Sequence, residues 1–222
     1  MTIKNAIVFF GGDYFHHQNS LLATELQAVK LSNYFCATAD HGADLAFKCG
    51  LTPHLVMGDD DSISSLSLTK IKKQNIPHSF FPSQKDQTDS ELVLDYLSRH
   101  HLQNVTIFGL EGSRLDHFLA NIFLLGKFAK QGMQIKAIGE SAIYYFVTKS
   151  IKISGHRGDL LSLLALTSTV KKITTSGLEY QLAKRNLSQS TSLGISNVFV
   201  KRQIKIDLES GVLLAITIPK LH

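Results

Sequence analysis

Val56-Met57-Gly58-Asp59-Asp60-Asp61-Ser62 joins a short apolar run to three consecutive carboxylates and a residue able to cap a helix. Leu55, Val56 and Met57 read as a buried strand, and the glycine marks its end. If strand geometry persists for two further residues, Asp59 and Asp61 point to one side and Asp60 to the other. Two carboxylates roughly 5 Å apart repel by about 3 kcal/mol at an effective dielectric near 20. Open solvent, Lys/Arg partners or a bound divalent cation must offset that cost. Hard oxygen ligands suit Mg²⁺, which one or two carboxylates hold together with substrate phosphates. A solvated acidic loop that caps the following helix is the structural alternative.

Outward from this stretch, strands and helices alternate. Residues 5–10 read as a strand ending at Gly11-Gly12, and Asn19 or Ser20 as the cap of a helix bearing Leu22, Leu26 and Val29. Residues 34–38 form a second strand, followed by Ala39-Asp40-His41-Gly42-Ala43 and a helix stopped by Gly50 and Pro53. Further strands are expected at 78–81, 105–108 and 134–138. This alternation predicts a parallel sheet covered on both faces, with ligands bound at the carboxyl ends of its strands. Thr88 and Glu91 make a capping box, and Asp86 and Asp89 complement the helix dipole or face Asp59 and Asp61 from the same sheet edge. Gly109 to His117 opens a helix with Leu115, Phe118, Leu119 and Ile122 on its apolar stripe. Arg114, His117 and Asn121 lie on a polar stripe beside it. Two glycines and an arginine at a helix start suit an anion; a glycine-rich turn with an exposed arginine is the plain alternative. No GxxxxGK[ST] loop is present, which excludes a P-loop cradle.

From about residue 142 the pattern changes to short strands without helices, at 142–147, 151–153, 159–164, 170–174, 180–182, 198–200, 204–206 and 212–218. Such spacing predicts a sandwich or barrel. The expected architecture is an α/β N-terminal domain (1–147) with a mostly parallel, Rossmann-like sheet, and a C-terminal all-β sandwich (148–222). Hydrophobic content of 44% supports a real core in both. Residues 1–147 carry 12 Lys/Arg against 14 Asp/Glu, a net of −2, and residues 148–222 carry 11 against 4, a net of +7. The basic residues come as dispersed pairs among strands, a pattern suited to small anions or a solvated face, so no nucleic-acid partner is expected. No apolar run reaches the length of a membrane span or a signal peptide. Cys36 and Cys49 fit a reducing compartment, so a cytoplasmic location is expected.

Taken in order, Ala39-Asp40-His41-Gly42-Ala43, Gly58-Asp59-Asp60-Asp61-Ser62, Asp86-Gln87-Thr88-Asp89, Gly112-Ser113-Arg114-Leu115-Asp116-His117 with Asn121, Thr175-Ser176-Gly177-Leu178-Glu179-Tyr180 and Gly194-Ile195-Ser196-Asn197 resemble the thiamine pyrophosphokinase family. The resemblance covers most of the chain. It implies a homodimer with the active site between the α/β domain of one subunit and the sandwich of the other. It implies transfer of pyrophosphate from ATP to the thiamine hydroxyl, giving thiamine diphosphate and AMP, with Mg²⁺ as cofactor. By motif, Asp59, Asp61 and Asp89 would hold the metal. Asp40, Gly42, Asp86, Thr88, Arg114 and His117 would bind ATP. Arg114 would also stabilise phosphate charge, Asp116 would sit near the thiamine hydroxyl or the metal and is the candidate base, and Ser196 and Asn197 would contact thiamine.

Three features depart from the family pattern. His41 stands where a second glycine is usual, and Asp60 where an aromatic or apolar residue is common. There is no tryptophan, so stacking on thiamine falls to Tyr180, Phe199 or another ring, for which a core role is the default. Two alternatives remain at this point: a pyrophosphokinase of another alcohol such as a hydroxymethyl-pterin, and a non-catalytic thiamine or nucleotide sensor.

Overall fold

The continuous apolar runs become strands buried on both faces, as parallel sheets require. The computed structural model describes residues 4–12, 21–27, 33–59, 61–79 and 86–220. The chain divides into two compact units, residues 1–124 with 137–140 and residues 125–136 with 141–222.

The first unit contains β1 (Asn5–Phe9), α1 (Leu21–Gln27), β2 (Tyr34–Ala39), α2 (Gly42–Lys48), β3 (Leu55–Met57), α3 (Ser65–Lys73), β4 (His78–Ser79), α4 (Asp89–Arg99) and β5 (Asn104–Phe108). The division falls within α5 (Leu115–Lys130) and β6 (Gln134–Ile138). The strands lie in the order β5-β1-β2-β3-β4, and every pairing among them is parallel. Their register matches Phe9 with Thr38 and Phe108, Ala39 with Met57, and Met57 with Ser79. The segments after these residues therefore emerge side by side along one edge. Phe9 and Phe108 are fully buried and stacked at 5.3 Å. Each ring contributes about 1.5–3 kcal/mol by burial, and the pair about 0.5–1.5 kcal/mol more. That anchors the strand ends from which the loops start.

Two local expectations change. β3 stops at Met57, and Gly58 turns the chain at φ +143°, so the extended geometry does not persist through the aspartates. The cap of α3 is Ser64, whose Oγ accepts from Ser67 N; Ser62 Oγ instead donates to the Asp59 carbonyl at 3.3 Å. Thr88 caps α4 as expected, its Oγ1 accepting from Glu91 N. Asn19, Ser20, Val29, Asp60 and residues 80–81 lie outside the described residues.

The second unit contains β7 (Ile143–Val147), β8 (Ser150–Ser154), β9 (Leu160–Ala165), β10 (Thr169–Ser176), β11 (Arg185–Ser188), β12 (Asn197–Val198), β13 (Gln203–Asp207) and β14 (Leu213–Ile218). Antiparallel pairing gives the orders β12-β9-β14-β7 and β11-β10-β13-β8. Inward residues such as Leu161, Leu163, Leu213, Ile173, Ile204 and Ile206 form one core. The final turns of α5 belong to this unit: a Cβ on Gly126 would lie 3.0 Å from Leu166 Cδ1, so glycine lets the helix approach. Residues 180–182 are not a strand. β11 takes that place five residues later, an edge strand with Leu187 as its one apolar residue, which is why alternation does not reveal it. No helix among the described residues is long and apolar enough to cross a membrane.

Candidate active site

Glycines at the strand ends set how closely the loops of the first unit pack. A Cβ on Gly12 would lie 1.9 Å from the Glu111 carbonyl oxygen, and one on Gly42 would lie 2.0 Å from that of Phe9. Gly58 combines its positive φ with a Cβ position only 2.9 Å from Asp40 Oδ1. Asp40 itself sits at φ +50° with its N–H donating to the Met57 carbonyl at 2.9 Å. A non-glycine residue held left-handed costs roughly 1–2 kcal/mol, a cost that clusters at functional positions.

Two cavities open along this edge. The smaller, ≈ 230 Å³, is lined by Gly11, Gly12, His41, Gly109, Gly112, Ser113 and Arg114. The larger, ≈ 630 Å³, is lined by Asp59, Asp86, Gln87, Thr88, Asp89, Glu91 and Asp116. Asp40, Ser90, His117 and Asn121 line both, so the cavities adjoin. The larger one lies within the size range of ligand sites, about 300–1,000 Å³.

Most of the residues expected from sequence meet here. Asp59 is half-buried, Asp89 buried, and both face the larger cavity with Asp86 and Thr88. Asp61 is exposed and lines neither cavity, and Gly42 is buried against Phe9 outside both. Among the described residues, no three His, Cys, Asp or Glu side chains group closely enough to hold a metal by themselves. Mg²⁺ does not require three. Two carboxylates with room for substrate phosphates are the usual arrangement, and Asp59 and Asp89 across one cavity fit that chemistry.

Arg114 and Asp116 face one another. Arg114 Nε donates to Asp116 Oδ1 at 3.0 Å and Nη2 to Oδ2 at 2.6 Å, a two-pronged pair between exposed side chains. The hydrogen bonds from Arg114 hold the Asp116 carboxyl well below the usual carboxylate range, and Asp116 raises the Arg114 guanidinium in turn.

Behind the acidic loop, Asp44 of α2 receives the start of α3. Its Oδ2 accepts from Ser64 N at 3.1 Å, and its Oδ1 from Ser67 Oγ at 2.5 Å and from Ser64 Oγ. Burial pushes the Asp44 carboxyl up, but these hydrogen bonds outweigh it and leave it lowered.

In the second unit, Ser196 is exposed at φ +59°, with its N–H on Ser162 Oγ at 3.2 Å. Asn197 is buried; its Oδ1 accepts from Tyr180 N at 3.1 Å and Val198 N at 2.9 Å, and its Nδ2 donates to the Tyr180 carbonyl at 2.6 Å. Tyr180 is exposed and Phe199 is core. The sequence alone assigns no role to Ser90, Gln87 or Glu111. Gly12 carried the one available signal, a second glycine directly after a strand.

A carboxylate-lined cavity adjoining one lined by glycines and an arginine, at the carboxyl ends of parallel strands, has the composition of a phosphoryl-transfer enzyme. The model for the thiamin pyrophosphokinase catalytic domain matches residues 26–137, and that for the thiamin pyrophosphokinase vitamin B1 binding domain matches residues 148–213. The chain belongs to the thiamin pyrophosphokinase family. It is 28% identical to the thiamine pyrophosphokinase of Bacillus subtilis (strain 168) over 179 residues, 80% of this chain and 84% of the relative. A crystal structure of the Bacillus subtilis enzyme superposes with a TM-score of 0.84 at 25% identity, covering 98% of this chain and 100% of the other. Yeast thiamin pyrophosphokinase shares the fold at 15% identity, with a TM-score of 0.69 over 97% of this chain and 86% of its own.

Proposed function

We propose that the chain transfers pyrophosphate from ATP to thiamine, giving thiamine diphosphate and AMP. The adjoining pair of cavities carries this reading: one is lined by carboxylates and the other by glycines and an arginine, with Asp40, Ser90, His117 and Asn121 common to both. On this reading residues 1–147, with a Rossmann-like sheet, handle the nucleotide, and residues 148–222 handle thiamine.

The thiamine hydroxyl oxygen attacks the β-phosphorus of ATP. The bond from that phosphorus to the oxygen bridging it to the α-phosphate breaks, and AMP leaves with the bridging oxygen. Asp59 and Asp89 would hold Mg²⁺, with Asp61 supplying a further carboxylate from the exposed turn beside Asp59. The metal, when bound, neutralises phosphate charge. Asp40, Gly42, Asp86, Thr88 and His117 place the nucleotide, Gly42 through its close packing on the Phe9 carbonyl. Arg114 donates to the transferring phosphates, where positioned charge is the main contribution such a site makes.

Asp116 is the proton acceptor, and its pairing with Arg114 gives it two states. Paired, it is a weak base. Once the triphosphate takes the guanidinium, the carboxyl rises toward its ordinary value and can accept the hydroxyl proton.

Ser196 and Asn197 of the partner subunit contact thiamine, Asn197 by fixing the turn at Tyr180 as much as by direct contact. A homodimer is supported by Leu115, Leu119 and Phe123, spaced four apart on α5 and 72%, 55% and 57% exposed. An apolar stripe of that kind marks a surface that another protein covers. Free Cys36 and Cys49 support a cytoplasmic location, and the dispersed basic pairs support the absence of a nucleic-acid partner.

The test is product analysis. AMP and thiamine diphosphate should form only when ATP, Mg²⁺ and thiamine are all present. ADP as product, or AMP released without thiamine, would refute the reading.

A further inference from the structure

The loop from β5 to α5 supplies Gly109, Gly112, Ser113 and Arg114 to the smaller cavity, yet Glu111 at its centre lines neither cavity. Its carboxylate is engaged elsewhere. Oε2 accepts from Glu140 N at 2.8 Å, and Oε1 lies 2.0 Å from where a Cβ on Gly139 would stand. The side chain thus lies flat over Gly139, just past the end of β6. On the other side its own carbonyl presses on Gly12, which has no room for a Cβ, and Gly12 N donates to the Gly109 carbonyl at 3.0 Å. Residue 111 is wedged between the segments that follow β1 and β6.

We infer that Glu111 is a positioning residue that fixes the height of the anion-binding loop, with Gly139 as its seat. The inference rests on the reading that the smaller cavity receives the phosphates of ATP. A carboxylate beside a triphosphate site would repel the ligand if it were loose. Tied to a backbone N–H, its charge is satisfied and its rigidity passes to the loop that carries Arg114. Placement matters at this scale, since a shift of about 1 Å at a reacting site can cost roughly 100-fold. The seat also explains a glycine at 139, where no positive φ demands one.

The experiment uses the full-length chain with Mg²⁺ and a non-hydrolysable α,β-methylene ATP analogue. It measures the dissociation constant by calorimetry, the KM values for ATP and thiamine, and the melting temperature. Glu111→Ala should weaken the analogue and raise the KM for ATP about tenfold, the scale of one hydrogen bond to a charged group, with the thiamine KM unmoved. Glu111→Gln keeps an acceptor for Glu140 N and should stay within about twofold of the native chain. Gly139→Ala evicts the carboxylate and should reproduce the loss, but should add almost nothing in the Glu111→Ala background, where the space is free.

Native affinity in Glu111→Ala, no rescue by glutamine, or equal harm from Gly139→Ala in both backgrounds overturns the inference. If Gly139→Ala fails to fold, the Ala and Gln pair at 111 decides alone. A residue that only stabilised the fold would lower the melting temperature in step with active fraction and leave both KM values in place. A native chain that binds the analogue but makes no thiamine diphosphate sinks the proposed function and not this inference; one that binds no nucleotide sinks both.

Discussion

Asp59 and Asp89 in the parallel unit line a cavity, while Asn197 in the sandwich is buried with its amide closed on Tyr180 and Val198. Both kinds of residue carry the family's motifs. In the first unit, parallel strands end in register, and polar groups displaced into the loops are left facing a cavity. In the second, antiparallel strands return on themselves, and a polar group at the start of β12 is consumed in shaping a turn. A motif residue can therefore act by touching a ligand or by holding the backbone that does, and the two roles separate by experiment.

The largest expected effect is on the cavity side. Asp59→Asn removes one of the carboxylates proposed to hold the cation and should lower turnover on the order of a thousandfold, a loss typical of removing a group aimed at developing charge. Mg²⁺-dependent binding of the ATP analogue should weaken, while the melting temperature holds or rises because like charges have been relieved. Unchanged turnover would return Asp59 to the role of a solvated loop residue and erase the contrast between the units.

On the sandwich side the order of effects reverses. Asn197→Ala strips three hydrogen bonds from a buried position and should cost about 2 kcal/mol, a fall of roughly 4–8 °C in Tm, before any effect on thiamine. Ser196→Ala changes an exposed side chain and should move stability by less than about 0.5 kcal/mol while raising the thiamine KM. Thermal melts and KM values on the pair check this. A stable Asn197→Ala chain with a large thiamine defect would make Asn197 a direct ligand. A defect confined to ATP in Ser196→Ala would remove the sandwich loop from the site.

The same contrast governs what could be read from the chain alone. Buried parallel strands, the box at Thr88 and Glu91, and the aspartates after β3 depend on neighbours within a few residues, and periodicity exposes them. The wedge of Glu111 between Gly12 and Gly139 joins residues about a hundred apart at one end, so no local pattern marks it. The Arg114–Asp116 pair was hidden differently: residues two apart do not face each other on a helix, but Arg114 precedes the first turn and is free to reach across. β11 escaped because an edge strand carries charge and polarity for its own reasons. The cap at Ser64 in place of Ser62 depends on where Gly58 turns the chain, which a count of polar residues does not give.

Asp44 sits in the same unit as Asp59, yet its oxygens are spent on Ser64 and Ser67, so it provides the smallest and cleanest test of the distinction. Its folded carboxyl lies below its ordinary value of 3.8. A lowered carboxyl contributes stability that is fully present above 3.8 and is lost as pH falls from there through the folded value. Asp44→Ala should therefore cost about 1 kcal/mol near neutrality, the scale of a helix cap. The gap between native and variant chains should then close on acidification below 3.8, as the native carboxyl takes up its proton. Urea unfolding from pH 7 to pH 3 measures it. A gap that stays constant over that range would mean the contacts of Asp44 act through shape rather than charge. A variant as stable as the native chain at neutrality would mean that α3 starts without help from α2.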